Sequence, residues 1–164
     1  MLRLKKINFK SNNFKYYFEI ILFYRNDNDY CKINNIKKVI PKESYKWLKK
    51  NHKSRIFFII KYKKRNIGII NFDKLENTFS IVINKNYRNL GLGGLGLKLL
   101  FNYLKNKKIN NIYIFGLKKN SNAYNLYSKF SYKKKLLKNG FTKFYVTLKK
   151  DKAEYNYTDT KEHK

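Results

Sequence analysis

The residues whose type and spacing point to chemistry begin with a glycine cluster, Gly91-Leu-Gly-Gly-Leu-Gly96. It satisfies G-x-G-x-x-G, so a dinucleotide-binding turn is the first reading. That fingerprint sets its glycines directly after a strand and an acid about twenty residues on, to hold a ribose. Here seven residues separate Ile83, where a strand ends, from Gly91, and no Asp or Glu stands between Glu76 and Asp151. The dinucleotide reading fails. A nucleotide-hydrolysing phosphate loop needs lysine where Leu97 stands and a carboxylate to hold magnesium, and it fails too. What survives is simpler. Glycines let a backbone approach phosphate closely, and unpaired N–H groups at a helix start bind anionic oxygens. The structural alternative is a glycine-rich helix start that packs tightly under a sheet.

These residues need elements to hold them. Leu2–Asn8 alternates like a strand. Ser11 can cap a helix over 13–25, whose apolar face is Phe14, Tyr17, Phe18, Ile21, Leu22 and Tyr24. Pro41 suits the first turn of a second helix, with Tyr45, Trp47 and Leu48 inward. Arg55–Tyr62 and Asn66–Phe72 read as a hairpin, and Thr78–Ile83 as a third strand of the same sheet. A helix over Gly93–Lys107 follows, with Leu95, Leu99, Leu100 and Leu104 on its apolar side. Asn111–Gly116 reads as a short buried strand, Asn120 or Ser121 to Lys129 as a helix, and Ser131–Leu136 and Phe141–Leu148 as strands meeting at Lys138-Asn139-Gly140. The order β-α-α-β-β-β-α-β-α-β-β describes an α/β domain around a mixed sheet.

Placed between a strand and a helix, Asn84-Lys-Asn-Tyr-Arg-Asn-Leu-Gly-Leu-Gly-Gly94 resembles the R-x-x-G-x-G motif of the GNAT superfamily of N-acetyltransferases. About thirty residues on, Asn120-Ser-Asn-Ala-Tyr-Asn-Leu-Tyr-Ser-Lys-Phe-Ser-Tyr132 resembles that superfamily's N-x-x-A-x-x-L-Y-x-K-x-G-F helix. Asn120, Ala123, Leu126, Tyr127 and Lys129 match; Ser131 replaces the usual Gly and Tyr132 the usual Phe. The resemblance implies a single domain over residues 1–150, with a mixed sheet of about six or seven strands flanked by four helices. Residues 151–164, which hold four of the ten acids, read as a disordered tail.

The resemblance also implies a chemistry. Acetyl-CoA is the co-substrate, with no metal. Arg88, Asn89, Gly91, Leu92, Gly93 and Gly94 hold its pyrophosphate, and Arg88 adds a charged contact or braces the loop. Its thioester lies where Ile81, Val82 and Ile83 splay from Asn111–Gly116, so that unpaired N–H groups stabilise the developing oxyanion. Asn120 holds the pantetheine arm, and Lys129 joins the cofactor site. Tyr127 protonates the departing thiolate; the alternative is a core tyrosine of an amphipathic helix. Many relatives carry a glutamate base on the central strand, here Thr78–Ile83, which has none. Asp73 and Glu76 precede it, so water and backbone carbonyls are expected to deprotonate the amine.

Leu22-Phe-Tyr-Arg-Asn-Asp-Asn-Asp29 resembles the W-R-N-[HD]-P segment of one branch of the superfamily. That branch includes ribosomal-protein N-terminal acetyltransferases and the amino-sugar N-acetyltransferases of the pseudaminic acid pathway. Tyr24 replaces Trp and Asn28 replaces Pro. On this resemblance Tyr24, Arg25 and Asn26 line a pocket for a nucleotide-linked deoxy-amino sugar, acetylated for surface glycan synthesis. The alternative for Arg25-Asn26 is a helix C-terminal cap. The alternative acceptor is a protein N-terminus or another small amine.

Composition bounds the rest. Thirty-nine Lys and Arg against ten Asp and Glu give +29, which draws anionic ligands. The excess comes with Asn, Ile, Phe and Tyr, a mixture that A/T-rich codons produce in any protein, and it is spread along the chain. This argues against nucleic acid as the main partner; a basic RNA-binding protein without activity remains the non-enzyme alternative. With Cys31 alone, no intramolecular disulfide or Cys-rich metal site can form, and Cys31 reads as a small buried hydrophobe. No apolar stretch approaches a bilayer span, so a cytosolic protein without membrane partner is expected, as monomer or homodimer.

Overall fold

The computed structural model describes residues 1–9 and 13–148. Ser11 and the tail expected over 151–164 therefore lie outside the described residues. In chain order the elements are β1 (Leu2–Lys6), α1 (Phe14–Arg25), α2 (Asn28–Asn34), α3 (Pro41–Asn51), β2 (Arg55–Tyr62), β3 (Arg65–Asp73) and β4 (Thr78–Ile83). They continue with α4 (Leu92–Asn106), β5 (Asn111–Leu117), α5 (Ser121–Phe130), β6 (Lys133–Leu136) and β7 (Phe141–Thr147). One seven-stranded sheet runs β1-β2-β3-β4-β5-β7-β6. Every neighbouring pair is antiparallel except β4 and β5, which are parallel and joined through α4. The mixed-sheet α/β fold read from the sequence is the one observed.

Strand alternation gives the sheet two buried faces. On one, Phe58, Ile60, Ile70, Phe72, Phe79, Ile112, Ile114, Phe144 and Val146 pack against Leu97, Leu100 and Leu104 of α4 and Tyr127 of α5. On the other, Phe57, Ile59, Ile69 and Val82 pack against Tyr17, Phe18, Ile21 and Tyr24 of α1 and Leu48 of α3. Twelve large side chains are under 2% exposed. At about 1.5–3 kcal/mol each, their burial is the main force holding helices to sheet.

Three expectations are corrected. Among the described residues the α-helices are five, not four: α2 is added, started by Asp27, whose carboxylate accepts the Tyr30 N–H, and ended by Asn35 in the left-handed region. The inward arc of α4 is Leu92, Gly96, Leu97, Leu100, Phe101 and Leu104, and Leu95 is 48% exposed. The helix starts at Leu92, and an i, i+4, i+5, i+8 arc from that residue leaves Leu95 on the solvent side. Trp47 also turns outward, 44% exposed, with the Arg55 guanidinium 4.9 Å from its ring. Cys31 is buried, as expected of a small hydrophobe.

Candidate active site

The parallel pair β4–β5 touches at one point only, Thr78 opposite Tyr113, where the Tyr113 N–H donates to Asn77 O at 2.8 Å. Beyond it the strands register no further pairing, and the gap opens over the remaining length of β4, about 16 Å. Asn84 N donates to Ile67 O across the β3 side. By strand alternation the N–H groups of Ile81 and Ile83 therefore face the gap, while that of Val82 faces β3. The Val82 side chain is buried under α1. Two backbone donors thus point into the opening.

The glycine turn closes the same end. Gly91 caps α4 with φ +71°, a conformation that favours glycine, and a Cβ built there would meet nothing within 4 Å. The turn is bare backbone facing open space. The first α4 bond shown runs from Leu95 N to Gly91 O, and no side chain caps the helix. The N–H groups of Leu92, Gly93 and Gly94 are the orphan donors of its first turn. Gly93 and Gly94 also lie against Leu126 of α5, at 3.5 and 3.4 Å from a built Cβ. Bare backbone at Gly91 and close packing at Gly93 and Gly94 are both present, at different residues. Asn89, at φ +62°, accepts a hydrogen bond from the Asn122 amide at 3.0 Å, tying the turn to α5.

Arg88 braces this turn. Its Nε donates to Ile83 O at 2.9 Å, Nη2 to Asp27 at 3.1 Å and Nη1 to Asp29 at 3.3 Å. One guanidinium joins the end of β4, the glycine turn and the start of α2. Partial exposure keeps each ion pair modest, but the fork fixes geometry. Sequence reasoning missed Asp27, Asp29 and Asn122 as partners; an Asp ahead of a short helical run is the signal that could have found Asp27 as a cap.

Tyr127 projects from α5 under β5. It is 8% exposed, with its ring edge-on to Phe144, and a Cβ on Gly116 would lie 3.1 Å from its Cδ2. Burial pushes its pKa well above the usual phenol range, and the nearby Tyr30 phenol pushes it further. Tyr30, from α2, was not foreseen here. Burial raises its own pKa, against the pull of Arg25 and with a small push from Cys31. The Arg25 guanidinium sits 5.8 Å from the Tyr30 ring, and its Nη1 is buried without a hydrogen-bond partner. Arg25, Tyr30 and Tyr127 thus form a chain of neighbours from α1 to α5.

The other expected site residues are placed as follows. The Tyr24 hydroxyl donates to Asn66 O at 2.9 Å, and burial, aided by Tyr87, pushes its pKa up to about 12. The Asn26 amide donates to Val39 O and its carbonyl accepts the Val39 N–H, so both polar ends serve the loop before α3. Asn120 precedes α5 without a side-chain cap bond, and Lys129 is exposed near that helix's end. Asp73 is buried and ion-paired to Arg55, and accepts the N–H groups of Leu75 and Glu76. Glu76 is exposed in the β3–β4 turn, at the opposite end of β4 from Ile83. Neither acid reaches the gap. Among the described residues no cluster of His, Cys, Asp and Glu could hold a metal ion, and no helix is long and apolar enough to cross a membrane.

Comparisons with known proteins agree with this geometry. Residues 21–132 match the sequence pattern described as the acetyltransferase (GNAT) family. No curated protein sequence matches significantly. Among solved structures, a domain from Methanocaldococcus jannaschii is similar at 18% identity and TM-score 0.74, covering 90% of this chain and 98% of that one. The spermidine N-acetyltransferase of Vibrio cholerae, solved with CoA and spermine, is similar at 14% identity and TM-score 0.74, covering 90% and 95%. The Campylobacter jejuni N-acetyltransferase PseH, solved with acetyl coenzyme A, is similar at 19% identity and TM-score 0.63, covering 90% and 99%.

Proposed function

The chain belongs to the acetyltransferase (GNAT) family, and on that premise we propose that it transfers an acetyl group from acetyl-CoA to the primary amine of a nucleotide-linked deoxy-amino sugar. The observation that carries the reaction is the bare glycine turn at Gly91 beside the β4–β5 gap, with Tyr127 buried beneath it. The residues fit coenzyme A. The free N–H groups of Leu92, Gly93 and Gly94 suit a pyrophosphate, and the unfilled space over Gly91 lets it come close. Arg88, held by two carboxylates, shapes the turn. Asn89 is fixed by Asn122; Asn120 and Lys129 flank the route of the pantetheine arm.

Acetyl-CoA supplies an activated thioester; the chain's own residues do the rest. The N–H groups of Ile81 and Ile83 donate to the acetyl oxygen as negative charge grows on it, while Val82 anchors the strand. The amine attacks directly. Tyr127 holds its proton across the physiological range because burial disfavours the phenolate. It gives that proton to the sulfur as the C–S bond breaks, where the same dry surroundings that disfavour the phenolate also disfavour a free thiolate. The amine loses its proton through water and backbone carbonyls, since Asp73 is bound to Arg55 and Glu76 lies at the far end of β4.

The acceptor reading rests on Arg25. Its buried, unpartnered Nη1 is a donor in wait of an acceptor atom, and leaving it unmade is costly. A hydroxyl or anionic oxygen of the substrate supplies one. Tyr24 and Asn26, engaged with Asn66 and Val39, fix the end of α1 on either side of Arg25. A cationic peptide or polyamine calls for carboxylates instead, and the two on the α1–α2 turn, Asp27 and Asp29, are bound to Arg88. The test is thiol release from acetyl-CoA with amino-sugar nucleotides, ribosomal N-terminal peptides and spermidine as acceptors. Sugar-dependent release that drops about a hundredfold in Tyr127→Phe is expected. Release with peptide or spermidine alone would overturn the acceptor, and an unaffected Tyr127→Phe would overturn the proton donor.

A further inference from the structure

The sheet has a face that its helices do not cover. On β5 and β7 the even-numbered side chains Ile112, Ile114, Thr142, Phe144 and Val146 point to α4 and α5. The odd-numbered ones, Tyr113, Phe115, Lys143 and Tyr145, point to the opposite side, joined by Lys133 and Lys135 of β6. No residue of β5, β6 or β7 belongs to the cluster under α1 and α3. Phe115 is 42% exposed, and Tyr132, whose ring lies 6.5 Å from that of Tyr145 on the rim, is 65% exposed.

Its composition is one of rings and lysines together. Tyr113 and Tyr145 stand in register with their rings edge-on at 5.3 Å. The Lys143 ammonium lies 4.0 Å from the Tyr113 ring, 5.1 Å from Tyr145 and 5.9 Å from Phe115, and Lys133 lies 5.6 Å from Tyr145. Lys135 stands directly opposite Lys143. Like charges at opposed positions of neighbouring strands destabilise a sheet, and no acid between Glu76 and Asp151 is there to relieve them. An anion between the two lysines removes that repulsion. A second copy of this chain, itself at +29, does not.

We propose that this open face binds the nucleoside diphosphate of the acceptor, with the base stacked on Phe115 and Tyr113 and the phosphates between Lys135 and Lys143. The proposal rests on the nucleotide-linked acceptor and gives its nucleotide a place. The location suits that role, because Phe115 and Gly116 lie on the β5 edge that borders the gap beyond the single Thr78–Tyr113 pairing, with Tyr127 packed on Gly116 from the other side of the strand. The chemistry suits it as well: aromatic rings stack on any base, and lysines meet phosphate as point charges.

The test is calorimetric titration of the CoA-saturated protein with UDP and GDP, so that the coenzyme's own nucleotide site is filled. Uridine serves as the phosphate-free control, and a twelve-residue oligouridylate as the RNA control. At least one diphosphate is expected to bind, more weakly as salt rises, with uridine about tenfold weaker or more. The variant Lys135→Gln/Lys143→Gln is expected to lose about tenfold or more of that affinity while binding CoA as before. Equal diphosphate affinity in the variant overturns the proposal. So does failure of both diphosphates to bind, and lysine-dependent binding of the oligouridylate in their place assigns the face to RNA. Thiol release with a free amino sugar, measured alongside, separates this from the reaction itself: turnover without diphosphate binding removes the face alone, whereas no turnover and no CoA binding remove the acetyltransfer reading.

Discussion

Gly116→Ala tests the placement of Tyr127 more sharply than removal of its hydroxyl. A Cβ at residue 116 lies 3.1 Å from Tyr127 Cδ2, 3.2 Å from Phe144 Cε2 and 3.4 Å from Tyr127 Cε2, where ordinary contact is 3.4–4 Å. Phe144 is fully buried and Tyr127 nearly so, so both rings must shift by a few tenths of an ångström within a packed core. Overpacking of this kind costs about 1–3 kcal/mol. At about 2–4 °C per kcal/mol for a domain of this size, Tm should fall by about 2–12 °C. The displaced phenol no longer meets the leaving sulfur correctly, and kcat should fall about tenfold, since about 1 Å of misplacement can cost about a hundredfold. KM for acetyl-CoA should stay, because the glycine turn is untouched. The control is Gly140→Ala, at φ +80° with nothing within 4 Å. It is strained by about 1–2 kcal/mol through its backbone, in a hairpin turn where the added methyl touches no side chain. Calorimetry gives Tm and thiol release gives kcat. Wild-type Tm and kcat in Gly116→Ala would refute the packing, and a kcat loss no larger than in Gly140→Ala would refute the link from packing to catalysis.

Arg88→Gln should raise KM for acetyl-CoA and for the acceptor together, because one side chain holds both the glycine turn and the start of α2; steady-state kinetics in both substrates shows it, and a rise for acetyl-CoA alone means that the Asp27 and Asp29 contacts do not shape the acceptor side. Glu76→Gln should keep turnover within about twofold of wild type, as expected of an exposed surface position; loss of most activity with binding intact would make Glu76 the base. Tyr24, pushed up to about 12, and Tyr127, pushed higher, are raised above their unfolded values. The stability from keeping them protonated is fully present below about pH 10 and is lost as pH rises towards about 12. Urea midpoints should therefore fall across that window, and Tyr24→Phe and Tyr127→Phe should each flatten the fall; a slope unchanged in both variants would count against their burial.

The local signals in this chain were strong where chemistry and backbone geometry coincide. Gly91 needs its positive φ, Pro41 opens α3, Thr78–Ile83 is a β-rich run that ends before Asn84, and Asn120 to Lys129 repeats at helical spacing. These depend on neighbours within a turn or two, so the sequence carries them by itself, together with the mixed-sheet order. Element length and register were less legible. α2 has only seven residues and no long apolar stripe, Leu95 is displaced by one residue in the helix start, and Trp47 finds the Arg55 guanidinium outside the core.

Only the tertiary structure decided which long-range partners meet. Arg88 reaches Asp27 and Asp29 across about sixty residues of chain, and nothing in the spacing of those three residues foretells it. Tyr30 comes beside Tyr127, Asn26 is spent on Val39, and Lys135 faces Lys143, because the register of a sheet and the seat of a helix are fixed by the whole core at once. The sequence by itself determined most of the elements and the glycine turn at Gly91, since these are short-range matters of dihedral preference and periodicity. The tertiary structure decided which polar atoms are satisfied and which, like Arg25 Nη1, are buried with a bond still to make, since that follows from burial, which no local stretch of chain can set.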